Sequence, residues 1–353
     1  MKIKLLTFIF CILFLTGCWD RKELNELGLV LATGLDKDNN TGKISITAQV
    51  VRPGALKKQG GSEEPPIELV TAKGNTVFEA IRNIIKQFDR RGYYAHNKVL
   101  VIDEQLAKSG LDPFLDFFER SQEMRRLVWV MVAKNTTAKQ ILGVKHGIEN
   151  VQATYLDNII KRRITNSEVT AVNLLEFLKK VSGSGINPIT GVMEIVEQIN
   201  LPAEEKKGNA TKGVRLSGTA VFKKDKLVGY LDDTETRGLN WVTGKVKSGI
   251  INVPALTEKD KLIAIEIKRA SSKIKPTIDD NGKISFAIEV KEEGNIAEQQ
   301  DKTDVSKVEM FEKIQKEQIK VIEREINHYV CTYNKKQNSR QHNFTCTSHG
   351  FQT

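Results

Sequence analysis

Cys18 is the residue whose type and position most clearly indicate chemistry in this sequence. It ends the stretch Leu15-Thr16-Gly17-Cys18, which follows two lysines at positions 2 and 4 and a run, residues 5–15, that is apolar apart from Thr7. A basic start, an apolar run of about 7–15 residues and small residues before a cleavage site are the parts of a secretory signal. The run is shorter than the roughly 20 apolar residues that a membrane-spanning helix needs.

A cysteine directly after two small residues is the pattern of a bacterial lipoprotein signal. The thiol accepts a diacylglyceryl group, and cleavage then makes Cys18 the first residue of the mature chain. Two acyl chains, at about 0.8 kcal/mol per buried methylene, form a stable anchor. We therefore predict lipid attachment at Cys18 and a chain tethered outside a membrane. The alternative is an ordinary secreted protein with a cysteine near its cleavage site.

A second group of potential ligands lies near the C-terminus, at spacings that could bind zinc. Its members are His328, Cys331, His342, Cys346 and His349. The residues around them have no apolar pattern that would fold about a metal, so an adventitious polar tail is the favoured interpretation.

Asp36, Asp38 and Asn40 resemble the start of a calcium-binding loop. The sixth position of such a loop is normally Gly and the twelfth is a bidentate Glu, but here they are Thr41 and Thr47. A plain turn is therefore favoured, and we predict no metal ligands in the chain.

The sequence carries no recognised catalytic signature. It lacks the zinc-protease, nucleophile-elbow, phosphate-loop and dinucleotide patterns that would hold metals, nucleophiles or phosphates. The two histidines before the last helix, His96 and His146, have no Cys or Ser arrangement near them that would form a nucleophile–base pair. We predict no catalytic residues, no cofactor-binding residues and no enzyme activity.

Charge and cysteine usage limit the kinds of partner and of core. The net charge is +10, and loss of the two lysines within residues 1–17 leaves +8, which suits a position beside anionic phospholipid headgroups. Basic residues alternate with acidic ones and no basic stripe carries aromatics, so nucleic acid is not a predicted partner. Residues 19–330 contain no cysteine, so hydrophobic cores rather than disulfides must stabilise the fold.

Hydrophobic periodicity predicts a mixed α/β (α+β) fold with small sheets flanked by helices. Strands are expected at 27–32, 43–51, 98–103, 126–133, 248–253 and 262–269. Two more are expected within 216–231, joined by a turn at Lys224-Asp225, and a hairpin at Asp279–Gly282 is expected to join strands at 274–278 and 284–290. Helices are expected from 76, 112 and 137, at 153–161 and 168–181, and behind Asp232 with Glu235 as its capping partner. A long amphipathic helix is predicted from Ser306 to about Val330, with Ser306 and Glu309 as its capping box.

Composition shifts predict several domains. The expected parts are a signal peptide (1–17), an N-terminal α/β domain (18–200), a linker (201–213), a small β-hairpin and helix domain (214–255), a C-terminal sheet with the long helix (256–330) and an atypical polar tail (331–353). The tail has no acidic residue and no helical period, as is typical of a disordered or frameshifted end.

Two stretches together are specific to one family. The first is Cys18-Trp19-Asp20-Arg21-Lys22-Glu23-Leu24-Asn25, and the second runs from Gly218 through Phe222 and Gly229 to Arg237, Gly238 and Trp241. A weaker match covers Asn281-Gly282 and Gly294-Asn295-Ile296. On these residues the chain resembles the Ger(x)C family, the lipoprotein C subunits of bacterial spore nutrient-germinant receptors.

This resemblance implies a non-enzymatic subunit on the outer face of the spore inner membrane, with a multi-domain mixed α/β fold. It implies two membrane-embedded partners, the A and B subunits, and a part in the response to amino acids or sugars. Cys18 is the functional residue that carries over from the family, and Trp241 and the glycines are interpreted as core and turn positions. After Val330 the chain departs from the family pattern.

Two other functions stay open from the sequence. A solute-binding lipoprotein of a transporter would have two similar α/β lobes around a cleft, and the halves predicted here are dissimilar. A lipid-anchored envelope enzyme would place paired catalytic groups in a pocket, and no motif predicts such a pair.

Overall fold

The computed structural model of the chain describes residues 26–38, 40–51, 66–144, 149–197, 212–258, 260–282, 284–302 and 304–337. These residues form two β-sheets and a set of helices, the last of which is 30 residues long. Cys18, the linker predicted at 201–213 except its last two residues, and residues 338–353 lie outside the described part.

The larger sheet has ten strands. They are β1 (Leu27–Lys37), β2 (Ile44–Val51), β3 (Ile67–Gly74), β4 (Arg91–Tyr93), β5 (Val99–Asp103), β6 (Trp129–Ala133), β7 (Val172–Asn173), β8 (Ile189–Glu197), β9 (Lys212–Lys223) and β10 (Lys226–Leu231). Their order is β10-β9-β8-β6-β5-β1-β2-β3, with β4 beside β1 and β7 beside β6. The central neighbours β1, β5, β6 and β8 run parallel, and both outer portions pair antiparallel.

Six short helices cover the two faces of this sheet. They are α1 (Val77–Asn83), α2 (Glu104–Ser109), α3 (Asp112–Arg120), α4 (Ala138–Gly143), α5 (Gln152–Arg162) and α6 (Leu174–Ser182). Alternate residues of β5 enter separate cores, with Leu100 and Ile102 on one side and Val99 and Val101 on the other. This alternation follows from the two-residue period of a strand, and burial on both faces explains why central strands are apolar throughout.

The second sheet packs against two further helices. Its strands are β11 (Ile250–Pro254), β12 (Leu262–Ile278) and β13 (Ile284–Gln299), and the helices are α7 (Asp233–Val242) and α8 (Val308–Gln337). Trp241 of α7, Ile265 of β12 and Ile322 and Ile326 of α8 share one buried cluster. The long helix is therefore held by tertiary packing of its apolar side.

The predicted mixed α and β fold with a final long helix is confirmed. Capping boxes are present at Thr137 and Asp232. Both predicted hairpins are also present, and their turns contain Lys224, whose φ is 55°, and Gly282, whose φ is 75°. The capping box predicted for α8 is wrong, because the Ser306 hydroxyl donates to Asp304, and the N–H groups of Met310 and Phe311 bond to the Lys307 carbonyl.

Several element boundaries differ from the predicted ones. The helix expected at 168–181 starts at Leu174, where the Asn173 side chain accepts from the Glu176 N–H, and the residues before it are extended. Strands β3 and β8 were not predicted. The short strands expected at 274–278 and 284–290, one on each side of Gly282, are parts of one continuous ladder between β12 and β13. Helix α8 continues seven residues past Val330, to Gln337.

Hydrogen bonds cross the boundaries of the predicted domains. Strand β9 lies, from residue 214 on, in the part predicted at 214–255, yet it pairs along its length with β8 of the N-terminal part. Helix α7 of the same part packs against α8. How the chain divides into domains stays a prediction.

Candidate functional site

A buried polar cluster lies where α7 meets α8. Arg237 donates from Nε to Glu325 Oε2 over 2.9 Å and pairs through Nη2 with the other Glu325 oxygen. Its Nη1 donates to Glu168 over 3.2 Å, and Trp241 Nε1 donates to Glu325 over 2.9 Å. We call Glu168, Arg237, Trp241 and Glu325 the helix junction.

The local sequence explains how these side chains meet. Arg237 and Trp241 are four residues apart on α7 and therefore lie on one face of it. Gly238 lies between them, and a Cβ there would overlap the Glu325 carbonyl oxygen and come within 2.8 Å of Tyr329 Cβ. Only a residue without a side chain lets α7 approach α8 this closely.

In the helix junction two carboxylates, Glu168 and Glu325, pair with the one guanidinium of Arg237. Glu325 is 2% exposed. Burial disfavours the charged form of Arg237, but its bonds with Glu325 outweigh this and raise the guanidinium pKa. Burial also raises the pKa of Glu168 above its ordinary value. These bonds hold α8 against α7, because loss of either member of a buried ion pair leaves the other charge without a partner.

An open cleft of about 430 Å³ lies between the α1 region and the end of α3. We call it the arginine-rimmed cleft. It is lined by Phe78, Ile81, Arg82, Ile85, Arg91, Gly92, Tyr94, Phe117, Arg120, Ser121, Gln122, Glu123 and Met124. Among the described residues the Tyr94 hydroxyl finds no hydrogen-bond partner, and burial raises its pKa.

A second cleft of about 470 Å³ lies beside the start of α7 and is more polar. In it, Glu194 bonds with Lys134 over 2.7 Å and with Arg215 over 2.8 Å. Burial opposes ionisation of Glu194, but these two cations outweigh it and lower the carboxyl pKa. Asp232 and Glu235, which also line this cleft, cap α7.

The calcium-like residues perform structural tasks. Asp36 accepts hydrogen bonds from the N–H groups of Ala138 and Lys139 at the start of α4, and burial raises its pKa to about 6. Asp38 accepts from the N–H groups of Asn40 and Thr41 within the turn. Across the described ranges, no group of three or more His, Cys, Asp or Glu side chains is arranged to hold a metal ion.

The other residues singled out by sequence are dispersed. Cys18, His146, His342, Cys346 and His349 lie outside the described residues. His96 ends a short 3₁₀ turn with its ring against Tyr93, while His328 and an exposed Cys331 lie on α8. Within the part of the chain that is described, no helix has the length and apolar content to cross a membrane.

Sequence reasoning interpreted Trp241 as a core residue, which is correct, but missed its carboxylate partner. Glu325 precedes Ile326 on the apolar side of α8 and is itself buried. A charged residue inside an apolar stripe was the available signal, because a buried carboxylate needs a partner.

Two family models match the chain. The model described as the spore germination protein N-terminal domain matches residues 20–195, and the one described as spore germination B3/GerAC like, C-terminal, matches residues 217–339. The chain is 28% identical over 332 residues to spore germination protein KC of Bacillus subtilis (strain 168), covering 91% of this chain and 81% of that protein. It is 28% identical over 300 residues to spore germination protein B3 of the same organism, covering 84% and 75%. The crystal structure of the GerBC protein matches with a TM-score of 0.47 and 22% identity, over 91% of this chain and 86% of that one.

Together the two matched ranges include strands of both β-sheets. The first begins directly after Trp19 and includes Glu168, and the second includes Arg237, Trp241 and Glu325. The chain therefore belongs to the Ger(x)C family of spore germination proteins.

Proposed function

We propose that the chain is a non-enzymatic, lipid-anchored subunit of a spore germinant receptor. A diacylglyceryl group on Cys18 holds it on the outer face of the spore inner membrane. It couples nutrient sensing to germination through contacts with the membrane-embedded A and B subunits. The observation that carries the proposal is the pair of family matches over residues 20–195 and 217–339.

The helix junction supports a coupling role. Arg237 joins Glu168, which lies in the part of the chain that builds the larger sheet, to Glu325 on the last helix. A displacement of α8 by a partner would break or move these buried bonds and so reach the larger sheet. Packed elements with discrete contacts can transmit a change in this way.

A solute-binding lipoprotein remains the less supported function. Two similar lobes around a cleft would be expected for it, whereas the two described sheets differ in strand number and in connectivity, with ten strands in one and three in the other. No described cleft lies between matching halves.

Palmitate labelling tests the anchor directly. Cells that make the full chain would be labelled with palmitate and fractionated, with Cys18→Ala as the test variant. Cys331→Ala is the matched control, because Cys331 is an exposed cysteine on α8. We expect Cys18→Ala to lose the label and Cys331→Ala to keep it. Full labelling of Cys18→Ala would contradict lipid attachment at this residue.

Copurification tests the partners. A tagged full chain would be extracted from spore membranes in mild detergent and captured. We expect the A and B subunits in the captured fraction, and none from spores that make the untagged chain. A tagged chain that is membrane-bound but brings neither subunit would contradict the coupling role.

A further inference from the structure

We propose that the arginine-rimmed cleft belongs to a face that docks on an anionic phospholipid bilayer. Strand β1 pairs in parallel with β4, which places Leu27 opposite Arg91 and Gly28 opposite Gly92. Arg91 and Gly92 line the cleft. The cleft therefore adjoins the N-terminal end of β1, which is the end nearer to Cys18 in the sequence.

The length of the preceding chain keeps this face near the membrane. Eight residues lie between Cys18 and Leu27, and the nine Cα–Cα steps from one to the other span at most about 30 Å when extended. This step rests on the proposed lipid anchor at Cys18. If the anchor is present, the N-terminal end of β1 and the neighbouring cleft stay within that distance of the headgroups.

Apolar side chains are exposed at the cleft. Phe78 is 52% exposed and Ile85 is 53% exposed. The Phe117 ring, which also lines the cleft, lies 5.9 Å from the Phe78 ring. Aromatic and aliphatic side chains that project beside basic ones are typical of surfaces that enter the headgroup region of a bilayer.

Basic side chains surround these apolar ones. The Arg82 guanidinium lies 5.0 Å from the centre of the Phe78 ring, and Arg91 and Arg120 line the same cleft. Arg91 pairs with Glu123 and Arg120 with Asp116, both near the surface. The lining of the cleft carries three arginines and one glutamate, so basic charge exceeds acidic charge there, as an anionic bilayer requires.

Vesicle binding without the acyl anchor tests this face separately from the anchor. The mature chain, residues 18–353 with Cys18→Ser, would be mixed with vesicles of phosphatidylcholine alone or of phosphatidylcholine with phosphatidylglycerol, and sedimented. One variant removes exposed apolar side chains, Phe78→Ser with Ile85→Ser. The other removes charge, Arg82→Gln with Arg120→Gln.

Two control variants remove apolar side chains or positive charge from other surfaces. Ile274→Ser with Ile278→Ser alters side chains of the β12–β13 hairpin that are 47% and 71% exposed. Lys313→Gln with Lys316→Gln removes two exposed charges from α8. Circular dichroism of each variant would confirm that the fold is retained.

We expect binding to the phosphatidylglycerol vesicles that weakens with salt. The arginine variant should lose about tenfold or more in affinity, because each basic side chain near an anionic surface contributes a factor of about five. The apolar variant should also weaken, and both controls should bind like the parent. Equal binding by face variants and parent, or no binding by the parent, would overturn the proposal. If the face variants bind vesicles normally but impair germination, the face serves a protein partner instead, which also overturns it.

Discussion

Glu325 accepts three N–H groups at the helix junction, two from Arg237 and one from Trp241. Removing one member of a buried ion pair leaves the other charge without compensation, which costs about 3–5 kcal/mol. We expect Glu325→Ala to lower the free energy of unfolding by about 3 kcal/mol, measured by urea denaturation followed by circular dichroism.

Arg269→Ala is the control for this substitution. The Arg269 and Glu293 side chains are paired but 79% and 58% exposed, and pairs of this kind contribute less than about 1 kcal/mol. Equal losses in the two variants would mean that the helix junction is not a buried pair.

Glu292 makes stability depend on pH. It is 9% exposed, accepts from the Gln318 side-chain amide, and burial raises its pKa from 4.5 to about 7. Between these two values the folded chain holds a proton that the unfolded chain has released, so stability falls as pH rises through this window.

Glu292→Gln removes this titration, so its free energy of unfolding should fall less steeply between pH 4.5 and 7. Urea denaturation of both chains at several pH values measures the two slopes. The raised pKa of Asp36, about 6, adds a similar fall to both chains and cancels in the comparison. Parallel slopes would show that Glu292 has no raised pKa in the folded protein.

At the scale of elements, the close approach of α7 to α8 depends on Gly238. An alanine there would overlap the Glu325 carbonyl oxygen, and forcing extra atoms into a packed contact typically costs about 1–3 kcal/mol. We expect Gly238→Ala to lower the melting temperature, although alanine favours helices by about 1 kcal/mol over glycine. Thermal denaturation measures the effect.

Gly143→Ala provides the matched comparison, since Gly143 is also helical and its Cβ would meet Leu69 at an ordinary 3.5 Å. This variant should be neutral or slightly more stable. The contact between α7 and α8 would be looser than described if Gly238→Ala behaved in the same way.

Element types could be predicted from sequence where local chemistry decides them. Asp232 and Glu235 start α7 as a capping box, and Gly282 turns the hairpin, because both depend on neighbours within a few residues. Strand β8 begins directly after Asn187-Pro188, a pair typical of turns, and the sequence therefore did not predict a strand there. The start of α6 was displaced because residues 168–173 carry a helical pattern but bond to other strands.

At the scale of the whole molecule, strand neighbours could not be predicted. Strand β1 lies between β5 and β2, and its pairing with β5 joins residues 67 positions apart, such as Ala32 and Val99. Periodicity identifies a strand but carries no information about distant partners. The same reason explains why the cleft beside β4 and the Arg237–Glu325 pair became visible only in the folded chain.

Germination of spores that lack other germinant receptors tests the central claim most directly. Three strains would be compared, with the intact chain, with Cys18→Ala and with the chain deleted. Each would receive nutrients or calcium dipicolinate, a trigger that bypasses receptors. We expect the deletion to abolish and Cys18→Ala to reduce the nutrient response, with the dipicolinate response unchanged in all three. A full nutrient response from the deletion strain would contradict a receptor role for this chain.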